Sequence, residues 1–306
     1  MPTEKKKIDL TNLETYYFYR NKFEKSLVGR MSHKWRLRLH PILFKIISSR
    51  NKSAGLISHV LYDKRKTTNK PIIFAITHIG KFDIEVATET VKEHYYLLSG
   101  DYENMKGTVE EIFLGLNGVV YIREDDKADR ALSKEKMINV LRQGGNMMYF
   151  PEGTWNLTKN LPVLPLPFGV IDVAMRADAT IIPIGIEQYG KDFYLAVGEN
   201  FDIDKYDKNS TDSKIVAINE LRNCLATLKW DIWSAIPKEI SNSINAESFD
   251  KHINERLQEW PGMTLEQFFD SAYKPKHITT PKNAFAHLNY IEPTKQNAFL
   301  FNKRLK

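Results

Sequence analysis

The chain has 306 residues and a mass of 35.5 kDa, with 42% hydrophobic and 27% charged residues. These values are ordinary for a soluble globular protein and allow one large α/β domain, alone or with a smaller appendage. A single cysteine, Cys224, excludes an intramolecular disulfide and suits a reducing compartment. The longest apolar runs, of about six residues, are far shorter than the roughly 20 that cross a bilayer. The first residues show no secretory signal, so we expect a cytoplasmic protein.

Positive charge is concentrated near the amino terminus. Residues 1–70 hold 17 Lys or Arg against 5 Asp or Glu, whereas the remainder holds 27 against 33. A basic segment on a mildly acidic body predicts an anionic partner for that end. Apolar residues recur there at helical spacing, with basic residues between them. They are Trp35, Leu39, Ile42, Leu43, Ile46 and Ile47.

This basic helical segment has two interpretations. It can lie in the interface of an anionic membrane, as basic amphipathic helices with a Trp do. It can instead cover the protein core while its charges are solvated. Pro41 is compatible with either only if it kinks the segment or starts a second helix. No nucleic-acid partner is expected, because no recognition motif accompanies the charge.

A continuous apolar run from Ile72 to Ile76 predicts a strand buried on both faces. The run delivers His78 to the carboxyl end of the strand, where open α/β sheets bind their ligands. Gly80 then permits a tight turn. We expect a helix over residues 82–92 that carries Asp83 in its first turn.

His78 and Asp83 can meet across this strand–turn–helix corner. A carboxylate against an imidazole orients the ring, fixes its tautomer and stabilises the cation that forms after proton uptake. His78 is therefore a candidate general base. A His and an Asp at this spacing also arise by chance, so the pair alone is a weak signal.

Further strands are predicted at 95–99, 119–122, 146–150 and 180–186, and polar groups follow two of them. Arg123 follows the strand predicted at 119–122 and can either bind a phosphate through two hydrogen bonds or form a surface salt bridge. Glu152, Gly153 and Thr154 follow the third. A carboxylate, a glycine and a hydroxyl in this place can hold a polar ligand or form a capped turn.

Several common catalytic motifs are missing from the sequence. There is no Gly-x-Ser-x-Gly elbow, no phosphate-binding Gly-Lys-Ser/Thr loop, no Gly-x-Gly-x-x-Gly, no His-Glu-x-x-His and no pair of cysteines. Serine-hydrolase, nucleotide-binding and zinc-site interpretations therefore lack support, and no metal is expected. Residues 241–306 predict a helical and irregular extension without readable chemistry.

In order along the chain, four blocks resemble the glycerolipid acyltransferase superfamily, which includes lysophosphatidic acid and glycerol-3-phosphate acyltransferases. The blocks lie within about residues 70–187. They are the His-x-x-x-x-Asp pair at His78 and Asp83, the glycine–strand–arginine block at 118–123, the Phe-Pro-Glu-Gly-Thr block at 150–154, and the Ile-Pro-Ile strand at 182–184.

The resemblance implies an α/β fold with a mixed, largely parallel sheet surrounded by helices, and a basic helical module at the amino terminus. With the polar, basic connector at residues 64–70 as its start, we expect the acyltransferase domain at residues 67–240. The resemblance also favours membrane docking of the module formed by residues 1–66, with residues 1–60 on an anionic surface. We therefore expect a peripheral protein on the inner, cytoplasmic face of a membrane.

The resemblance also implies a reaction. His78, oriented by Asp83, would take the proton from an acceptor hydroxyl, which attacks the thioester of acyl-CoA or acyl carrier protein directly. The expected acceptor is a lysophospholipid, first of all 1-acylglycerol-3-phosphate, and the product would be phosphatidic acid. No further cofactor is implied. The residues expected to hold the acceptor are Arg123, Glu152, Gly153, Thr154, Trp155 and Asn156, with Pro183 near the acyl site or purely structural.

Two departures from the family pattern concern the acceptor. Trp155 and Asn156 stand where the family commonly has Arg-Ser, and Phe168 replaces a frequent basic residue before Gly169. Loss of positive charge weakens the case for a phosphate monoester. Another lysophospholipid, a glycolipid or an amino-acid lipid then remains possible, as does a non-catalytic lipid- or membrane-binding relative. Trp155 itself can stack on the acceptor or pack beneath the site.

Overall fold

The computed structural model describes residues 12–100, 102–158, 161–236, 246–258 and 264–274. Its helices are α1 (Leu13–Lys25), α2 (His33–Ala54), α3 (Asp83–Val91), α4 (Tyr102–Met105), α5 (Val109–Asn117), α6 (Lys127–Arg142), α7 (Gly169–Ala177), α8 (Thr211–Ala235), α9 (Ala246–Gln258) and α10 (Leu265–Ser271). Its strands are β1 (Ile57–Asp63), β2 (Ile72–Ile76), β3 (Tyr96–Ser99), β4 (Val119–Tyr121), β5 (Met147–Tyr149), β6 (Thr180–Tyr189) and β7 (Asp192–Val197).

The strands of the described residues form one sheet in the order β1-β7-β6-β2-β5-β3-β4. Strands β6, β2, β5, β3 and β4 are parallel, and β7 returns antiparallel to β6. Every residue of β2 is buried, because its alternate side chains enter two separate apolar cores, one on each face of the sheet. The predicted α/β fold with a mixed, largely parallel sheet surrounded by helices is confirmed.

One strand lies inside the segment that the sequence assigns to the helical module 1–66. Residues 57–63 form β1, which pairs in parallel with β7 at the edge of the sheet. This part of the prediction is wrong. An edge strand is only partly buried, so its sequence lacks the apolar pattern by which a strand is recognised, and Ile57 and Val60 are half exposed. Residues 1–11 of the module lie outside the described residues, and the domain boundaries remain predictions.

Helices α1 and α2 are anchored to the sheet domain by buried arginines. Arg20 of α1 is 1% exposed, pairs with Asp129 and donates a 3.1 Å hydrogen bond to the Ser133 hydroxyl. Arg36 of α2 donates to the carbonyls of Gly115, Leu116 and Val28. Such multiple bonds satisfy buried guanidinium groups that would otherwise be costly. The two helices are therefore part of one packed structure.

Helix α2 runs through Pro41 and has features of both sequence interpretations. Leu43 and Ile47 are buried and cover the core, whereas Ile42 and Ile46 remain exposed at 58% and 51%. Among the residues that the structure describes, no helix combines the length and apolar character that a bilayer span requires.

Candidate active site

The structure brings His78 and Asp83 together at the carboxyl end of β2. The imidazole Nδ1 lies 2.8 Å from Asp83 Oδ2, as expected for two residues facing each other across the corner. The same oxygen accepts hydrogen bonds from the backbone N–H groups of Ile79 and Gly80, at 2.6 and 3.0 Å. The Asp83 side chain is fully buried and that of His78 is 19% exposed. Backbone hydrogen bonds thus fix the buried carboxylate, while the imidazole remains partly accessible to solvent.

This hydrogen bonding determines the tautomer of His78. Asp83 Oδ2 accepts from two amides and therefore acts as an acceptor toward the imidazole too, so Nδ1 carries the proton. Nε2 is then the basic nitrogen. An imidazole in this state can take a proton from a hydroxyl, and the buried carboxylate stabilises the resulting cation.

The imidazole ring is held between aromatic neighbours. Phe150 stacks on His78 with ring centroids 4.4 Å apart and an interplanar angle of 29°. The Trp155 ring meets His78 edge-on at 6.2 Å and also stacks on Phe268 of α10 at 5.3 Å. Trp155 is only 2% exposed. Of the two interpretations of Trp155, the geometry favours packing beside the site over stacking on an acceptor.

Glu152 and the backbone of Asn156 hold the backbone of His78. One Glu152 oxygen accepts from the His78 N–H at 2.9 Å, and the other accepts from the Leu164 N–H at 2.8 Å. The His78 carbonyl accepts from the Asn156 N–H at 2.7 Å. Glu152 is 1% exposed. Glu152 therefore lies beneath the turn that carries His78 and supports its backbone, and both of its oxygens are engaged by backbone N–H groups.

The remaining residues of the 153–156 turn divide into exposed and engaged ones. Gly153 is exposed and has a φ of +72°, which favours glycine. The Thr154 hydroxyl accepts a 3.1 Å hydrogen bond from Ser271 of α10. The Asn156 side chain stabilises its own loop through hydrogen bonds with Thr158 and with the Leu161 carbonyl. Only Gly153 among these faces the solvent side of the site.

Pro183 is buried in β6 beside Ala75 of β2, where the ladder between β6 and β7 ends. Its carbonyl accepts from the Gly198 N–H at 2.9 Å, and a Cβ at Gly198 would lie 2.9 Å from the Pro183 ring. A proline lacks the N–H that a central strand uses, which is tolerated where pairing stops. This environment favours a structural role for Pro183.

Arg123 lies at the end of β4, on the same rim of the sheet, but its guanidinium is engaged by an acid. Its Nε and one terminal nitrogen lie 2.9 and 3.3 Å from the two Asp125 oxygens, and its Cζ lies 5.6 Å from the Tyr16 ring centroid. The next residue, Glu124, places its carboxylate against Gly153, where both oxygens would lie within 3.3 Å of an added Cβ. The rim therefore carries negative as well as positive charge.

Comparisons with known proteins concern the family and the fold of this chain. Residues 58–187 match the family model described as Acyltransferase. These residues are therefore an acyltransferase domain, in agreement with the resemblance to the glycerolipid acyltransferase superfamily. The crystal structure of the 1-acyl-sn-glycerophosphate acyltransferase PlsC from Thermotoga maritima is similar, with a TM-score of 0.52 and 15% identity over 72% of this chain and 87% of that one. At this identity the likeness concerns the fold. No curated protein matches the chain significantly.

Several neighbours of the His78–Asp83 site were not predicted from the sequence. Phe150 directly precedes the Pro-Glu-Gly turn, and its position at a strand end was an available signal. Glu124 and Asp125 follow Arg123 and are visible as an acidic pair in the sequence. Phe268 and Arg256 come from the carboxyl-terminal extension, and no local pattern connects them with His78.

Burial raises the pKa of Glu152 to about 7, although hydrogen bonds from the Leu164 and His78 backbones lower it. The ordinary value is 4.5, so folding favours the protonated acid. Its contribution to stability is complete below pH 4.5 and is lost as the pH rises through 7. We predict that the free energy of unfolding of the wild type, relative to Glu152→Gln, falls by roughly 2–3 kcal/mol from pH 4.5 to pH 8. Urea denaturation at both pH values measures this, and equal pH dependence of the two proteins would contradict it.

Proposed function

We propose that this protein is an O-acyltransferase that moves a fatty acyl group from acyl-CoA or acyl carrier protein to the hydroxyl of a lysophospholipid. The first candidate acceptor is 1-acylglycerol-3-phosphate, which would give phosphatidic acid. The observation that carries the proposal is the His78–Asp83 pair, with a buried carboxylate, a reachable imidazole and Nε2 as the basic nitrogen. It is supported by the acyltransferase family match of the surrounding domain.

In the proposed reaction, His78 Nε2 takes the proton of the acceptor hydroxyl as the oxygen attacks the thioester carbonyl. The C–O bond forms, the tetrahedral intermediate collapses with cleavage of the C–S bond, and the thiolate leaves with the proton from the imidazolium. Asp83 stabilises that cation during the cycle. A thioester is already activated, so this chemistry needs neither a nucleophilic serine nor a resident cofactor.

The test follows thiol release from acyl-CoA and acyl carrier protein with a panel of acceptors. The panel contains 1-acylglycerol-3-phosphate, glycerol-3-phosphate, lysophosphatidylglycerol, a lysoglycolipid and an acylated amino acid. Release that depends on 1-acylglycerol-3-phosphate, with phosphatidic acid as product, is expected. No acceptor-dependent release with either donor would overturn the proposal and favour a non-catalytic lipid-binding protein.

The charges at the rim favour a second candidate acceptor. Asp125 already neutralises Arg123, so this arginine offers little net positive charge to a ligand. Burial raises the pKa of the neighbouring Glu124, although Arg130 and His78 lower it. The rim therefore supplies little positive charge for a phosphate monoester, which has about two negative charges at neutral pH. The second candidate is therefore the same transfer to an acceptor without that group, such as another lysophospholipid, a glycolipid or an amino-acid lipid. Product from these acceptors alone would select it.

We also propose that the protein works on the cytoplasmic face of an anionic membrane, bound through α2 and the start of α5. Ile42 and Ile46 of α2 are exposed, as are Val109 and Ile112 of α5, at 74% and 61%. A 3.3 Å ion pair between Arg50 and Glu110 connects the two helices. The exposed apolar side chains of α2 are flanked by basic ones, which suits an interfacial position, whereas Glu110 and Glu111 lie between Val109 and Ile112 of α5. Each Lys or Arg near such a surface contributes about 1 kcal/mol.

The double variant Ile42→Glu/Ile46→Glu is expected to reduce flotation with anionic vesicles by about tenfold or more, because it removes buried apolar area and adds negative charge. Wild-type flotation should weaken in high salt. Val216→Glu changes a similarly exposed residue, 51% accessible, on α8 and serves as the control. Equal flotation of the double variant and the control would contradict the docking proposal.

A further inference from the structure

The carboxyl-terminal helices α9 and α10 contact residues 78–80, called the catalytic turn below, and residues 154–155 beside it, although they lie far from these residues in sequence. Arg256 of α9 is 5% exposed, and its guanidinium donates to two backbone carbonyls. One is the carbonyl of Ile79, the residue after His78, at 2.8 Å. The other is the carbonyl of Gln188 in β6, at 3.1 Å. The planar Arg256 guanidinium therefore links the catalytic turn to β6 of the sheet through two hydrogen bonds.

The bond to Ile79 involves a peptide group that also holds Asp83. The peptide between Ile79 and Gly80 donates its N–H to Asp83 Oδ2 at 3.0 Å and accepts from Arg256 at its C=O. The N–H and C=O of a peptide point in opposite directions. Asp83 and Arg256 therefore hold one peptide plane from its two sides. A cation at the carbonyl also polarises the peptide and strengthens its N–H as a donor.

Helix α10 holds the other side of the site. Phe268 stacks on Trp155, whose edge meets the His78 ring, and Ser271 donates to the Thr154 hydroxyl. Phe268 and Trp155 belong to one buried apolar cluster with Ile253 of α9. The two helices therefore contact the catalytic turn and the 154–155 turn together.

We infer that Arg256 is a positioning residue for acyl transfer, which keeps the Ile79–Gly80 peptide, and through it Asp83 and His78, in the orientation that general-base catalysis needs. The inference rests on the proposed function of the His78–Asp83 pair. A general base must lie within hydrogen-bond reach of the hydroxyl, and small displacements reduce the rate strongly. Rotation of the peptide would break the Gly80 bond to Asp83 and release that carboxylate.

The decisive variant is Arg256→Lys, because it keeps the positive charge near Glu187, whose pKa is lowered by Lys229 and Arg256 against the effect of burial. An ammonium cannot reproduce the fork that joins two carbonyls. Arg36→Lys is the matched control. Arg36 is similarly buried at 3% and also binds backbone carbonyls, but it belongs to α2. Both variants are expected to lose stability in urea denaturation.

Two readouts separate positioning from a general loss of stability. The first is steady-state kinetics: Arg256→Lys is expected to lower kcat about 10- to 100-fold with KM within about threefold, whereas Arg36→Lys keeps the wild-type kcat. The second is the NMR resonance of the His78 Nδ1–H proton, assigned by its loss in His78→Ala. It should shift upfield or broaden in Arg256→Lys and stay unchanged in Arg36→Lys.

The NMR readout needs no substrate, so it tests the positioning even if acyl transfer is not the activity. An unchanged His78 resonance in folded Arg256→Lys would overturn the inference whatever the kinetics show. Equal losses of kcat in both lysine variants would also overturn it, since a structural effect would then suffice. A shifted resonance together with no acyl transfer by the wild type would retain the positioning role and reject the proposed function.

Discussion

His78→Ala is expected to lower the rate of acyl transfer by about 10³-fold or more, because it removes the group that takes the proton from the acceptor hydroxyl. The loss should be in kcat, since the acceptor and donor contacts are retained. Thiol release at saturating donor and acceptor measures the effect. Vesicle flotation should equal that of the wild type, because His78 is not one of the exposed apolar residues of the α2 docking face.

The protein contains a matched control for this variant. His59 of β1 also pairs with a carboxylate, Asp192 at 2.7 Å, and also stacks on an aromatic ring, that of Tyr194 at 4.7 Å. It lies on the edge of the sheet beyond β7. His59→Ala is expected to retain the wild-type rate. Acyl transfer that survives in His78→Ala, or falls equally in His59→Ala, would reject the assignment of His78 as the base.

Asp83→Asn is expected to lower kcat by about 10²- to 10³-fold while the binding of substrates changes little. His78 Nδ1 and the N–H groups of Ile79 and Gly80 all contact the one oxygen Oδ2. An amide that keeps its oxygen at this position still accepts from all three, so the tautomer of His78 is retained. The loss comes from the charge, because an amide has no negative charge to stabilise the imidazolium.

The measurement is a comparison of kcat and KM between the wild type, Asp83→Asn and Asp192→Asn. Asp192 pairs with Nε2 of His59 at the protein surface, so its variant controls for loss of a carboxylate beside a histidine. A rise in KM alone would mean that Asp83 contributes to binding and not to proton transfer. A wild-type kcat in Asp83→Asn would contradict the proposed mechanism.

Local sequence patterns were sufficient to predict the buried central strand β2 and the corner that follows it. Ile72 to Ile76 is uniformly apolar, and it forms a central strand because both of its faces are covered. The corner after it could be predicted because Gly80 and Asp83 fit a tight turn and a helix start. The edge strand β1 could not be predicted, since its half-exposed Ile57 and Val60 follow neither a buried nor an alternating pattern.

The side-chain contacts of the residues assigned to the acceptor could not be predicted from the sequence, for a physical reason. A carboxylate after a strand end can face a ligand or accept from the backbone, and the residue type is the same for both. Glu152 accepts from the backbone. Arg123 was expected as a phosphate ligand, but its pairing with Asp125 depends on the conformation of a turn. Arg256 reaches Ile79 only through tertiary packing, which no spacing in the sequence reveals.

The central claim is that the acceptor hydroxyl, activated by His78, attacks the thioester directly. The most direct measurement mixes the purified protein with acyl-CoA or acyl carrier protein, with and without the acceptor selected by the panel, and follows thiol, diacyl product and the intact protein mass together. We predict thiol release only with acceptor, in equal amounts with product and without any increase in protein mass. A burst of thiol without acceptor, accompanied by an acylated protein, would contradict the account.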